Sequence, residues 1–225
     1  LTLAQALRAE GADLVISARD AVRLAAVCAD LGAQAVPMDV ADAASVARAA
    51  HTVGAVDGMV FLAATYWPMA AESVDADRLA AMCDVNLTGC ARVVGAVLPG
   101  MVARGHGHIV LTGSLAGFRG LPGAVGYAAS KAGVMVLAES LYADLRGTGI
   151  RVQLANPGFI RTRLTAQNDF SMPFLMEPEQ AADAMFLHMQ TDRFKVSFPT
   201  VFSWLFRLSQ FLPDWAYYRL FAPKP

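Results

Sequence analysis

Tyr127 and Lys131 stand four residues apart in Tyr127-Ala128-Ala129-Ser130-Lys131. On a helix that spacing puts both side chains on one face. A free phenol, with a pKa of ~10, is a poor base at neutral pH. An ammonium beside it favours phenolate and lowers that value, and a tuned Tyr can then exchange a proton with a substrate oxygen. A Tyr-x-x-x-Lys pair also arises by chance, and alone it reads as structural more often than not. Its surroundings change that weighting. Ser114 lies thirteen residues before Tyr127, Asn86 sits in Asp84-Val85-Asn86, and Asn156-Pro157-Gly158 is followed by Thr162. Arg19 follows Ala18; a guanidinium there is either solvated or paired with a phosphate, which its fork geometry suits. His106 and His108 make a pair without a third ligand, so no metal site is expected.

Two alternating periods mark the elements that must position these groups. Helical spacing runs over residues 1–10, 23–31, 42–53, 127–146 and 177–190, and over a long helix at 75–104 expected to break near Pro99-Gly100. Short apolar strands fall at 14–16, 35–38, 56–64, 108–112 and 150–155. Strands alternating with helices of this length specify an α/β fold: a parallel sheet covered by helices on both faces. Such a sheet binds ligands at the carboxyl ends of its strands. Arg19, Asp39-Val40, Ser114 and Asn156 fall there, and Asp39-Val40 would meet an adenine ring. Asn86 is mid-helix, where a buried Asn usually satisfies a backbone group.

Composition narrows the classes. The chain has 225 residues, a net charge of −1, 56% apolar and 16% charged residues. That excludes disorder and offers no basic stripe for nucleic acid. The three cysteines, odd in number and without metal-ligand spacing, read as reduced thiols of a cytoplasmic protein. No stretch is expected to reach the ~18 apolar residues of a spanning helix.

Taken together, Gly113-Ser114-Leu115-Ala116-Gly117, Tyr127-Ala128-Ala129-Ser130-Lys131, Val85-Asn86-Leu87 and Pro157-Gly158 with Thr162 resemble the short-chain dehydrogenase/reductase family over about residues 1–165. The resemblance implies a Rossmann-type, doubly wound, three-layer α/β/α sheet in a single domain. It implies Tyr127 as general acid/base and Lys131 as the group that lowers its pKa and holds the nicotinamide ribose. Ser114 would bind the substrate oxygen, and Asn86 would hold a water linking Lys131 to solvent. Arg19 matches variants that prefer NADP(H) over NAD(H). Asp39, Val40 and Ala63 would line the adenosine end of the cofactor, and Pro157, Gly158 and Thr162 the carboxamide end. Three departures stand out. The first strand and the TGxxxGxG turn are absent, and are expected within about fifteen to twenty residues before Leu1, the length of one strand plus such a turn. Phe61-Leu62-Ala63-Ala64 replaces Asn-Asn-Ala-Gly, and Gly113 replaces a common Ser.

Residues 1–192 are expected to form the dinucleotide-binding and catalytic domain, and 193–225 an aromatic extension holding ten of the chain's twenty aromatics. Tyr66, Trp67, Phe118 and Phe159 are the expected substrate contacts, for a bulky, mostly apolar carbonyl or alcohol. The extension reads as a lid, an oligomer interface or a peripheral membrane contact. The family implies a homodimer or homotetramer touching through the Tyr127 helix. The expected activity is hydride transfer between NADP(H) and a carbonyl/alcohol pair. The alternative is a non-catalytic dinucleotide-fold scaffold or cofactor sensor.

Overall fold

The computed structural model describes residues 1–221. Residues 222–225, the end of the expected aromatic extension, lie outside the described residues. The chain runs α1 (Thr2–Ala9), β1 (Val15–Ile16), α2 (Ala21–Leu31), β2 (Gln34–Ala35), α3 (Ala43–Val53) and β3 (Gly58–Phe61). Then come α4 (Ala76–Cys83), α5 (Gly89–Arg104), β4 (Gly107–Thr112), α6 (Val125–Asp144) and β5 (Ile150–Pro157). α7 (Pro178–Met189), β6 (Lys195–Phe198), α8 (Thr200–Ser209) and α9 (Asp214–Phe221) complete it. Local chemistry sets several ends. Asp20 and Asp42 cap α2 and α3 by accepting backbone N–H bonds at 3.0 and 2.9 Å. Gly32 closes α2 in the left-handed region.

β3, β4, β5 and β6 lie side by side in that order, all parallel. β1 and β2 pair with each other, Val15 opposite Gln34, as a separate parallel ribbon. Successive side chains of β4 feed opposite faces. Ile109 and Leu111 pack with Val46, Val93 and Val134 from α3, α5 and α6. Val110 packs with Leu3, Ala181 and Met185 from α1 and α7. This is the expected three-layer α/β/α arrangement. β6 was not expected: Lys195 and Ser197 break its apolar run, because it is the sheet's last strand in the order and needs less cover. The first part of 193–225 is thus a strand of the main sheet.

The long helix departs from expectation in two ways. Its irregularity is a wide π turn at Asp84–Thr88, while Pro99 sits inside a continuous α5. Pro99 leaves the carbonyl of Gly95 without its helical donor; Gly95 is exposed, so water can supply one. Taken as one rod, Ala76–Arg104 is also long and apolar enough to cross a membrane by length and composition, with mean hydropathy 1.4. No such segment was expected. The rod's inner face, with Met82, Asn86, Cys90, Val94 and Met101, is buried within the fold.

The aromatic tail is knitted to the loop after β4. Arg119 donates to the carbonyls of Ser209 (3.1 Å) and Leu212 (2.7 Å), pairs with Asp214, and lies 4.0 Å from the ring centroid of Tyr217. Tyr217 in turn donates to the carbonyl of Gly120 at 2.8 Å. Arg119 thus adds a donor to two carbonyls where α8 ends.

Candidate active site

Lys131 projects from the inner face of α6 and is buried. Its ammonium donates to the carbonyl of Thr112, at the end of β4, over 2.9 Å. Burial pushes its pKa down to about 8, with Cys90 pulling the other way. The Cys90 thiol on α5 is itself pushed up to about 12 by burial, against the pull of Lys131.

Tyr127 lies one turn earlier on α6. Burial pushes its phenol up to about 12; the Ser114 hydroxyl acts against that rise, and Tyr66 adds to it. The expected lowering by Lys131 is not found. The ammonium lies 5.8 Å from the ring centroid and is turned toward the Thr112 carbonyl, so loss of water around the phenol governs its pKa. Ser114 follows β4 in extended backbone, and its Oγ accepts from the Ala116 N–H at 3.1 Å.

Asn86 is fully buried in the π turn. Its Oδ1 accepts from the Thr65 N–H at 2.7 Å, and its Nδ2 donates to the Thr65 carbonyl and to Ser130 Oγ, both at 3.0 Å. Ser130 Oγ donates onward to the Tyr127 carbonyl at 2.9 Å. Asn86 therefore fastens the loop after β3 to the helix that carries Tyr127. Both its N–H donors are used, which leaves one Oδ1 lone pair for the expected water. Ser130 belongs to this network and was not singled out, because its role depends on a residue 44 positions away.

The same loop brings Tyr66 edge-on to Tyr127, with ring centroids 4.9 Å apart. Tyr66 donates to Asn168 Oδ1 at 2.9 Å, and Gln167 Nε2 donates to the Tyr66 carbonyl at 3.1 Å. Two loops thus clasp each other beside the phenol. Of the other expected substrate contacts, Phe159 joins Phe170 and Phe202, each 5.9 Å between centroids. Trp67 stacks near Arg78 at 5.9 Å. Phe118 packs into the cluster of Leu115, Phe202 and Phe206.

The expected cofactor residues follow the carboxyl ends of the strands. Arg19 is exposed just after β1. Asp39, after β2, accepts from the Ala41 N–H at 2.9 Å and retains acceptor capacity. Val40 is buried against Gly89, where an added Cβ would come within 2.8 Å of its side chain. Ala63 is exposed beside Leu62. Gly158 donates to the Phe198 carbonyl at 2.7 Å, tying the end of β5 to β6. Thr162 is exposed in a hydroxyl pair with Thr165 at 3.4 Å.

The fit of a dinucleotide to this edge rests on orphaned polar atoms. Thr112 Oγ1 and both carboxamide atoms of Asn156 are buried without partners at the ends of β4 and β5. Buried groups of this kind call for a ligand or water. The Thr112 hydroxyl shares the α7 face of the sheet with Ala155, while Asn156 lies on the α6 face that carries Lys131, where an amide and an ammonium suit a ribose or carboxamide. Asn156 also explains Gly113: a Cβ there would lie 2.2 Å from its Oδ1. No cluster of three His, Cys, Asp or Glu is found among the described residues.

Residues 1–171 match the family described as short chain dehydrogenase. An uncharacterized oxidoreductase of Myxococcus xanthus is 46% identical over 138 residues, which cover 61% of this chain. The match spans about half that relative's length, 54%. A short-chain dehydrogenase from Streptomyces avermitilis superposes with a TM-score of 0.82 at 25% identity, covering 91% of this chain and 85% of that one. A short-chain dehydrogenase from Sphingobium yanoikuyae, in complex with NADPH, gives 0.82 at 26% identity, covering 95% and 91%.

Proposed function

This chain belongs to the short-chain dehydrogenase family, and from that premise we propose that it interconverts a carbonyl and an alcohol on a bulky, mostly apolar substrate with NADP(H). The observation that carries the reading is the convergence of Ser114, Tyr127 and Lys131 at the end of β4. When bound, NADP(H) supplies or receives the hydride. Lys131, Asn156 and the Pro157–Thr162 segment would hold its nicotinamide end, and Arg19, Asp39, Val40 and Ala63 its adenosine end. A phenol with a pKa of about 12 keeps its proton at neutral pH. It is therefore poised as an acid, delivering that proton to an alkoxide oxygen, which is the stronger base. Ser114 would hold the same oxygen and steady its charge. Asn86, through Ser130, fixes the backbone of Tyr127.

Arg19 supports NADP(H) over NAD(H), and the NADPH complex of the Sphingobium relative points the same way. Tyr66, Phe159 and Phe170 support an apolar substrate. A homodimer or homotetramer formed through α6 is in keeping with its exposed Val136, and the free thiols with a reducing cytoplasm. Turnover of lipophilic ketones with NADPH, and none of polar sugars, is the expected result; the reverse preference overturns the substrate class. Arg19→Ala should weaken NADPH binding about tenfold, the loss of one phosphate ion pair, while NADH binding holds. Equal loss for both overturns the phosphate assignment.

A second reading, a non-catalytic cofactor sensor, is favoured by exposed Leu62 and Ala63 at the adenosine end. NADPH binding without oxidation on any ketone would support it.

A further inference from the structure

α8 is apolar on both faces. Phe202 and Phe206 are buried inward, while Val201, Trp204, Leu205 and Leu208 point outward with 73, 48, 44 and 58% exposure. Their spacing of i, i+3, i+4, i+7 draws one stripe along the helix. Phe211 (85% exposed) and Trp215 (74%) extend it past the turn into α9. A free surface of this size marks an interaction site.

Charge selects the partner. Arg207 and Arg219 are exposed on these two helices, and the Arg207 guanidinium lies 4.5 Å from the Trp204 ring centroid. The one carboxylate in residues 200–221, Asp214, is engaged by Arg119. A second copy docked across a two-fold axis would set a cationic face with no free acid against itself. Trp and Tyr above apolar side chains, with arginines at the rim, match instead the layered chemistry of an anionic lipid surface.

The surface is also joined to the site. Phe174, 56% exposed, stacks on Phe202 at 5.4 Å. Phe202 and Phe159 pack with Leu115, the residue after Ser114. We propose that the outer face of α8 and α9 docks on an anionic membrane and that the site behind the aromatic cluster from Phe174 to Leu115 takes an apolar carbonyl substrate dissolved in that membrane. The substrate clause rests on the oxidoreductase reading; the docking clause does not.

Sedimentation with phosphatidylcholine vesicles, and with vesicles in which about a third of the lipid is anionic phosphatidylglycerol, tests it. Binding at least about tenfold tighter to the anionic vesicles is expected, weakening with salt. The exposed triple variant Trp204→Ser, Leu208→Ser, Phe211→Ser should lose that binding while keeping its far-UV circular dichroism. Arg207→Gln with Arg219→Gln should remove the anionic preference. Tyr127→Phe should bind vesicles like the parent. No vesicle binding by the parent, or undiminished binding by the triple variant, overturns the proposal. So does a parent dimer, measured by light scattering, that the triple variant splits without any vesicle binding. Vesicle binding without turnover of any ketone supports docking and overturns the oxidoreductase reading separately.

Discussion

Burying the Lys131 ammonium costs the fold free energy whenever the group is charged. Its pKa falls from 10.5 to about 8, so between those values the unfolded chain holds a proton that the folded chain has released. Stability must then rise with pH across that window. The full shift is worth on the order of 3 kcal/mol. The Cys90 thiol opposes it above pH 9 and the Tyr127 phenol above pH 10, because each raised pKa keeps a proton that the unfolded group has lost. Urea unfolding between pH 8 and 10 isolates the lysine as the difference between two chains: the slope of stability against pH should be more positive in the parent than in Lys131→Met. An equal slope in both would show that the ammonium is solvated. The pair itself was legible, because a four-residue spacing fixes a shared face. The sign of the phenol's shift was not, because it depends on how much water the surrounding elements exclude and on where the ammonium points. Asn156 lay within a motif that was noticed, yet its two orphaned atoms appear only once Gly113 is seen beneath it.

Among the elements, β4 announced itself by the unbroken branched run Ile109-Val110-Leu111, and β5 by apolar residues alternating with Arg151 and Gln153. The π turn did not, since one residue's extra slack in a hydrogen-bond ladder leaves no mark on composition. Gln153 was equally silent. It is fully buried on β5, and its Nε2 donates to the carbonyls of His188, Thr191 and Arg193 at 2.8–3.0 Å. Its Oε1 accepts from His108 Nε2 at 2.8 Å. One side chain thus gathers the end of α7 and the approach to β6, over 35 to 40 residues of sequence. Gln153→Leu should cost about 3 kcal/mol, because it removes the donor shared by the Thr191 and Arg193 carbonyls and leaves His108 Nε2–H without its acceptor. The denaturant midpoint should fall with m unchanged. A change under about 0.5 kcal/mol, typical of an exposed surface position, would show that water replaces the amide without loss.

For the whole molecule, the alternation of strands and helices made the parallel sheet and its two covering layers readable, but not the division of the strands. β1 and β2 form a ribbon that pairs with nothing else among the described residues, and Val15 is 38% exposed. Ile109, Val110 and Leu111 on β4 are fully buried. Hydrogen exchange should follow that contrast, with β1–β2 amides exchanging at least about a hundredfold faster than those of β4–β5, since local opening precedes global unfolding. Equal protection would mean the ribbon opens only with the main sheet.

The account turns on the Tyr127 proton. The most direct measurement is the rate of NADPH-dependent reduction of a lipophilic ketone by the parent and by Tyr127→Phe, with cofactor binding followed in parallel. Removal of the phenol should lower kcat by about 10²–10⁴ and leave cofactor binding intact. An unchanged rate in Tyr127→Phe would contradict it.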